Sequence, residues 1–551
     1  MPHSMRDSGF MPANYLDPAS PFTAQLGTNY VPGDGEILDI RRLVQPDSIW
    51  ARELVRMDEQ IQEMEISLGQ LRERRDALKG NIDAHKALVS PMRLAPDDIL
   101  REIFIACLPS ATNALMDPRE APLLFGRICR HWRDIALSTP MLWASIHVPL
   151  TPRAGMDISV TTGVLQRWLK LSDGCPLAIS LYSHDVYDSS LYDPHHIVSM
   201  VLDVSSRLRR LSLRGPFDIF LPLLSLGPDS LPCLRRLELS DSSHPDTQLF
   251  KDHPEAMNII QLPSLTGISM LSAGMDCDLL SLRWSQLTSL TLFQQNYTSP
   301  EEPASGHLDC NKALEILRRC PNLRRCSLTI TELDLNHCAL SSNSVHISLP
   351  FLESLTLAGD FLLSSWIPKL SLPELSYLCI GDMRNDGFRY GTITSPNIVV
   401  RINSGFLTSS ALFDILNSFP LTHFELTCDN YFDDAELSDT RIIMDDAFLE
   451  RLCPPHNMCP LLTHLIVSNP SSNFSGSAAM DFVRARMGMD IRLQCFEVHY
   501  YGEAVDTNIP DIQSFVAYGL RLEFKNLSRN KSWGFNPGLG AYDAVARYLQ
   551  F

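Results

Sequence analysis

The sequence predicts a multi-domain α+β protein: a long N-terminal helix with heptads, a small three-helix module, and an irregular α/β solenoid of stacked repeats. Three observations carry that class. Leu54, Ile61, Leu68, Arg75, Ile82 and Val89 recur every seven residues, and Met57, Met64, Leu71, Leu78 and His85 sit three places after the first five. Short, strongly apolar helical patterns crowd residues 91–149. From about residue 175 the form L-P-x-L-x-x-L-x-L returns at a loose spacing, the signature of stacked repeats.

A chain of 551 residues exceeds one ordinary core, so several domains or a repeat array are expected. A hydrophobic content of 45% with 20% charged residues fits a folded chain. The net charge of −18 argues against a general nucleic-acid binder, because phosphate binding needs clustered positive charge. The 14 cysteines are scattered without a dense framework, which reads as reduced and intracellular, cytoplasmic or nuclear. No apolar leader stands at the N-terminus, and no run approaches the roughly 18 apolar residues of a membrane span.

Residues 1–46 are rich in Pro, Gly, Asp and Ser without periodicity and are expected to be disordered. Residues 47–90 then carry the a/d pattern of a coiled-coil-like helix. Asp47 or Ser48 can cap its start, and Pro91 ends it. Gly69 and Gly80 fall off the seam, whereas Arg75 and His85 intrude on it. Such a seam either docks on its own protein or associates with a second copy.

Within 91–149, Pro96 suits a first helical position, and Asp97 and Asp98 favour the positive end of the helix dipole. Ile99, Leu100, Ile103, Phe104, Cys107 and Leu108 make a stripe too wide for one small contact. Ile128, Trp132, Ile135 and Ala136 are spaced as one helix face, and Pro140 stops that helix. Some of this apolar surface must meet another domain or another protein.

A connecting helix is expected over 150–174, repeats over 175–525, and a cap or tail over 526–551. "LPCLRRLEL" (231–239), "LPSLTGISM" (262–270), "LPFLESLTL" (349–357) and "LPELSYLCI" (372–380) are the clearest repeats. Looser cores begin at Leu208, Leu287, Leu323, Leu421, Leu462 and Leu493, "CPLAISLYS" (175–183) supplies an atypical first strand, and "PNIVVRINSG" (396–405) can hide another. The fourth, seventh and ninth positions should share one side of a short strand and stack into a continuous core. "DCNKALEILRRCPN" (309–322) and "SSALFDILNSFP" (409–420) look like helical returns. The pattern resembles leucine-rich repeats.

The stretch "LAPDDILREIF…RICRHWRDIALSTPMLW" resembles an F-box, the short helical module that docks on the adaptor Skp1. With "LQRWLKLSDGCPLAISL" behind it, the order is similar to the large class of fungal F-box proteins. The resemblance implies a substrate-receptor subunit of a cullin–RING ubiquitin ligase. It places Leu94, Pro96, Ile99, Leu100, Ile103 and Phe104 against Skp1, with Ile128, Trp132, Ile135, Leu142 and Trp143 in the later helices. Within that resemblance, Trp132 and Ile135 suit the module's own interior, and Pro96, Ile99 and Leu100 suit direct contact.

Catalytic and metal chemistry find no support in the residue pattern. Cys129 and His131 lack a second ligand pair, and neither Cys320/Cys326 nor Cys453/Cys459 has a companion pair at finger spacing. Cys107 and Cys129 sit on apolar helical patterns, which suits inert thiols. No G-x-S-x-G elbow occurs. The expectation is a non-catalytic adaptor without catalytic residues, cofactor, metal, nucleic-acid or membrane partner. It would bind Skp1, through it a cullin scaffold, and an unidentified target protein on the repeats. The alternative is a coiled-coil and repeat scaffold that self-associates through 47–90.

Overall fold

The computed structural model describes residues 20–110, 112–150, 158–183, 195–240, 253–271, 280–293, 308–330, 346–359, 369–381, 398–403, 412–413, 416–417, 421–427, 445–468, 475–500, 509–526, 535–536 and 541–542. The chain divides into two compact units, Met1–Pro96 and Asp97–Phe551.

In the first unit, α1 spans Asp34–Leu43 and α2 spans Ile49–Leu88, followed by a single turn at Pro91–Leu94. Helix α1 lies inside the segment expected to lack regular structure. Its start is fixed locally, because Glu36 accepts the Gly33 amide at 2.8 Å and the Tyr30 hydroxyl at 2.9 Å. Ser48 caps α2 by accepting the Ala51 amide at 3.1 Å. No residue of the 40-residue α2 is buried.

The second unit opens with α3 (Asp97–Ala106), α4 (Phe125–Ile128) and α5 (Arg130–Leu137), then a 3₁₀ turn at Pro140–Trp143. Helix α6 (Ile158–Leu171) lies in the connecting segment. The main sheet has 14 strands. They are β1 (Ser145–Pro149), β2 (Leu177–Tyr182), β3 (Leu208–Arg214), β4 (Arg236–Ser240), β5 (Gly267–Leu271), β6 (Ser289–Phe293) and β7 (Arg325–Thr329). The others are β8 (Ser354–Ala358), β9 (Tyr377–Gly381), β10 (Ile398–Asn403), β11 (Leu421–Thr427), β12 (His464–Ser468), β13 (Cys495–Tyr500) and β14 (Arg521–Asn526). All pair in parallel with their neighbours in chain order, so the architecture is a mixed α/β, solenoid-like array.

The repeat motif explains the array. In "LPCLRRLEL", Leu231, Leu234, Leu237 and Leu239 are all buried, while Pro232 is exposed. The strand starts only at Arg236, so the seventh and ninth positions lie on it and the fourth lies in the turn before it. The first leucine, which the strand argument leaves out, is as buried as the others: Leu231, Leu262 and Leu349 are each 0% exposed. One register row runs from Ile146 in β1 through Leu237 in β4 and Phe424 in β11 to Phe496 in β13, each buried. Each such side chain contributes about 1.5–3 kcal/mol by leaving water.

One boundary differs from the expectation, and the other agrees with it. The sheet starts at Ser145 rather than near residue 175, because Ile146 and Val148 follow the 3₁₀ turn directly and fill the first positions of the core. It closes with Arg521–Asn526, whose "RLEFKN" keeps the alternation without the leucine motif. The hidden repeat at 396–405 contains β10. Of the two expected returns, Cys310–Arg319 is a helix capped by Asp309, which accepts the Lys312 amide at 2.8 Å. The other, 409–420, lies largely outside the described residues. In the C-terminal segment the described residues form one antiparallel pair, Phe535–Asn536 with Ala541–Tyr542.

Both sheet edges are managed. Along β1, the His147 amide donates to the Ala114 carbonyl at 2.8 Å, and the Ser145 hydroxyl donates to Asn113 Oδ1 at 2.9 Å. The loop between α3 and α4 therefore covers the first edge and ties the helical module to the array. At the other edge, Arg521 and Lys525 of β14 bracket Glu497 of β13 at 3.1 and 2.9 Å.

Candidate functional site: an apolar grip and a basic row

Phe104 organises the helical module. It is 0% exposed and stacks on Phe125 at 4.1 Å between ring centroids, with Trp132 tilted against it at 4.9 Å. Leu100 (0%), Ile135 (3%) and Leu142 (0%) complete this core. Trp143 is 5% exposed, donates its indole N–H to the Ala136 carbonyl at 2.8 Å, and meets Trp168 of α6 edge-on at 4.8 Å. That indole bond fixes the chain where the module hands over to β1.

The candidate contact residues therefore separate into two groups. Leu100, Phe104, Ile135, Leu142 and Trp143 are interior, which corrects the assignment of Leu100 to direct contact. Ile99 (48%) and Ile128 (51%) are exposed, and Ile103 and Trp132 are half-buried. Leu94 (70%) and Pro96 are exposed and belong to the first unit.

Ile128 is exposed for a specific reason. The spacing of Ile128, Trp132, Ile135 and Ala136 suggests a single helix, but the chain breaks at Cys129, which is extended with φ −157° and ψ 170°. The Cys129 thiol instead takes the N-cap position of α5, accepting the Trp132 amide at 3.4 Å. Ile128 thus ends α4 and leaves the face that Trp132 and Ile135 share. Cys129 is a cap rather than part of an apolar face, and Cys107 is exposed just beyond α3. Arg127, Arg130 and Arg133 are exposed, with Arg133 Nε donating to the Gly126 carbonyl at 2.7 Å across the break. His131 Nε2 lies 3.3 Å from Asp97, so the first turn of α3 sits beside this junction. Ile99 and Ile128 consequently stand at the same end of the module. Leu124 (37%), one turn before Ile128, joins them and was not singled out in the sequence.

A second feature lies on the polar face of the sheet. Arg210 of β3, Arg236 of β4 and Arg325 of β7 occupy one register row, with Gly267 of β5 and Ser289 of β6 between the last two. A Cβ on Gly267 would come within 3.3 Å of Arg236 Cγ, so the missing side chain there gives the Arg236 stem its room. Burial holds the Arg236 guanidinium below the ordinary arginine value, and the like charges of Arg210 and Arg325 add to this. None of the three guanidinium groups has a hydrogen-bond or ion-pair partner among the described residues. The chain as a whole carries a net charge of −18, and Glu238, two residues along β4, partly offsets the shift at Arg236.

Several of the other cysteines are packed in the array. Cys320, Cys326 and Cys459 are buried, and burial pushes the Cys320 and Cys459 thiols up to about 12. Among the described residues, no group of three or more His, Cys, Asp or Glu side chains is placed to hold a metal ion. Among the same residues, no helix is long and apolar enough to cross a membrane.

No family model matches the chain. No curated protein matches it either.

Proposed function

We propose that this chain is the non-catalytic, substrate-recruiting subunit of a Skp1–cullin–F-box ubiquitin ligase. The carrying observation is a three-helix module that satisfies its own core and still exposes Ile99, Leu124 and Ile128 at one end. An adaptor that buries those residues gains the apolar contact a helical grip needs, with Trp132 half-buried beside them. The handover through Trp143 to β1 supports the reading further, because a rigid join holds a bound target in a fixed place relative to the adaptor. The chemistry is then positional: two tethered modules raise the effective concentration of a target near a ubiquitin-charged enzyme.

The test is retention of Skp1 by the purified chain, compared with Ile99→Asp/Ile128→Asp. Ile99→Asp with Leu100→Asp would be unsuitable, because Leu100 is 0% exposed and its substitution would unfold the module. The rival reading, a scaffold without ligase function, draws on the exposed seam of α2; a chain that oligomerises yet ignores Skp1 would favour it.

In this reading the arginine row holds an acidic segment of the target. Reversing it with Arg210→Glu, Arg236→Glu and Arg325→Glu should reduce proximity labelling of acidic target proteins at least ten-fold while leaving Skp1 labelling intact. Unchanged labelling would remove the arginine row from target binding.

A further inference from the structure

A 40-residue helix with no buried residue has no source of stability beyond its own hydrogen bonds and propensity. The seam of α2 is nevertheless apolar at most of its positions, with Arg75 and His85 interrupting its C-terminal half. Leu54, Met57, Ile61, Met64, Leu68, Leu71, Leu78 and Ile82 are between 47% and 63% exposed. Taking Leu54 as the first a position, the flanking e and g positions carry the charge that selects a partner.

Those positions are polarised along the helix. The N-terminal half places Glu53, Asp58 and Glu65 beside the seam, and the C-terminal half places Arg72, Arg74, Lys79 and Lys86 there. A parallel pairing of two copies would set Glu53 against the second copy's Asp58, and Arg74 against its Lys79. Both are like-charge contacts, and each occurs twice. An antiparallel pairing reverses the sign of this term. With Leu68 opposite the second copy's Leu71, the layers become Ile61 with Leu78, Met57 with Ile82, and Leu54 with His85. In that register Asp58 faces the second copy's Lys79 and Glu65 faces its Arg72, giving four opposite-charge pairs by symmetry. Arg75 falls opposite Met64, where its stem can cover the thioether while its guanidinium stays at the rim. Gly69 and Gly80 lie off the seam, and a Cβ on either would meet nothing within 4 Å.

We propose that α2 joins two copies of this chain as an antiparallel two-stranded coiled coil centred between Leu68 and Leu71. The seam and its charge polarity lie wholly in residues 53–86, so the proposal stands apart from the adaptor reading. Full-length protein should have the mass of two chains by light scattering. Asp58→Lys/Glu65→Lys, which makes both halves basic, should halve that mass. Adding Arg72→Glu/Lys79→Glu restores opposite halves and should restore the dimer, which separates a lost interface from a lost helix. In an equimolar mixture of light- and heavy-isotope protein, zero-length coupling should join Asp58 of one copy to Lys79 of the other. A monomeric wild type, a dimer indifferent to the charge reversal, a quadruple variant that stays monomeric, or absence of the mixed-isotope Asp58–Lys79 product would overturn the proposal.

Discussion

Replacing Phe104 with alanine is expected to destabilise the helical module by about 3–5 kcal/mol. Phe104 is fully buried, stacked on Phe125 and touched by Trp132, so its loss leaves a ring-sized cavity where three helices meet. The site cannot collapse easily, because the extended Cys129 sets the angle between α4 and α5 and the Arg133 bond to Gly126 pins them in that arrangement. Denaturant unfolding followed by tryptophan fluorescence gives the direct reading, since Trp132 and Trp143 report on the module. Ile99→Ala is the control: it is half-exposed and should stay within about 0.5 kcal/mol of the wild type. A Phe104→Ala change below about 1 kcal/mol would show that this ring does not organise the module.

The second large effect is at Arg486. This side chain is 0% exposed and faces no carboxylate among its hydrogen-bond partners. Nη1 donates to the Leu452 carbonyl and Asn457 Oδ1, both at 3.3 Å. Nη2 donates to the carbonyls of Cys459 at 3.2 Å and Leu462. The segment so held is strained, with positive φ at Asn457 (44°) and Cys459 (119°), the latter rare for a residue with a side chain. Burial lowers the Arg486 pKa, which records the cost of placing a cation there. Arg486→Met removes that cost but takes the guanidinium donor from the buried Leu452 and Leu462 carbonyls, from the half-buried Asn457 Oδ1 and from the Cys459 carbonyl, which keeps only the Leu462 amide. Each buried acceptor left without a donor costs about 1–3 kcal/mol, so the loss wins. The expected destabilisation is about 3 kcal/mol or more, with early proteolysis between Leu452 and Leu462. Arg486→Lys should recover little, because an ammonium cannot reproduce the planar fork. A variant as stable and as protease-resistant as wild type would contradict this account.

Much of the array is legible in the sequence because its repeats bury the same positions each time. Leu237, Ile268, Leu355 and Leu378 announce their strands by spacing alone. The end strands β1 and β14 are not, since Ser145–Pro149 has no leucine and Arg521–Asn526 carries Leu522 without the preceding L-P-x-L of the clear repeats. Within the helical module, periodicity shows a stripe on α3 but cannot say which edge turns inward. Ile99 and Leu100 are adjacent in sequence and opposite in burial, at 48% and 0%. Likewise nothing in "RICRHWRD" marks the break at Cys129, because a thiol is a weak and uncommon cap and the apolar spacing runs straight through it. The arginine row is invisible for another reason: Arg210, Arg236 and Arg325 meet only once parallel register aligns strands far apart in the chain.

The central claim is that the exposed end of the helical module grips the adaptor. Its most direct measurement is Skp1 retention by the full-length chain beside Ile99→Asp/Ile128→Asp, with thermal unfolding recorded for both. The account predicts that the wild type retains Skp1 and that the double variant melts like the wild type yet loses retention at least ten-fold. A wild type that does not hold Skp1, or a folded double variant that holds it equally well, would contradict it.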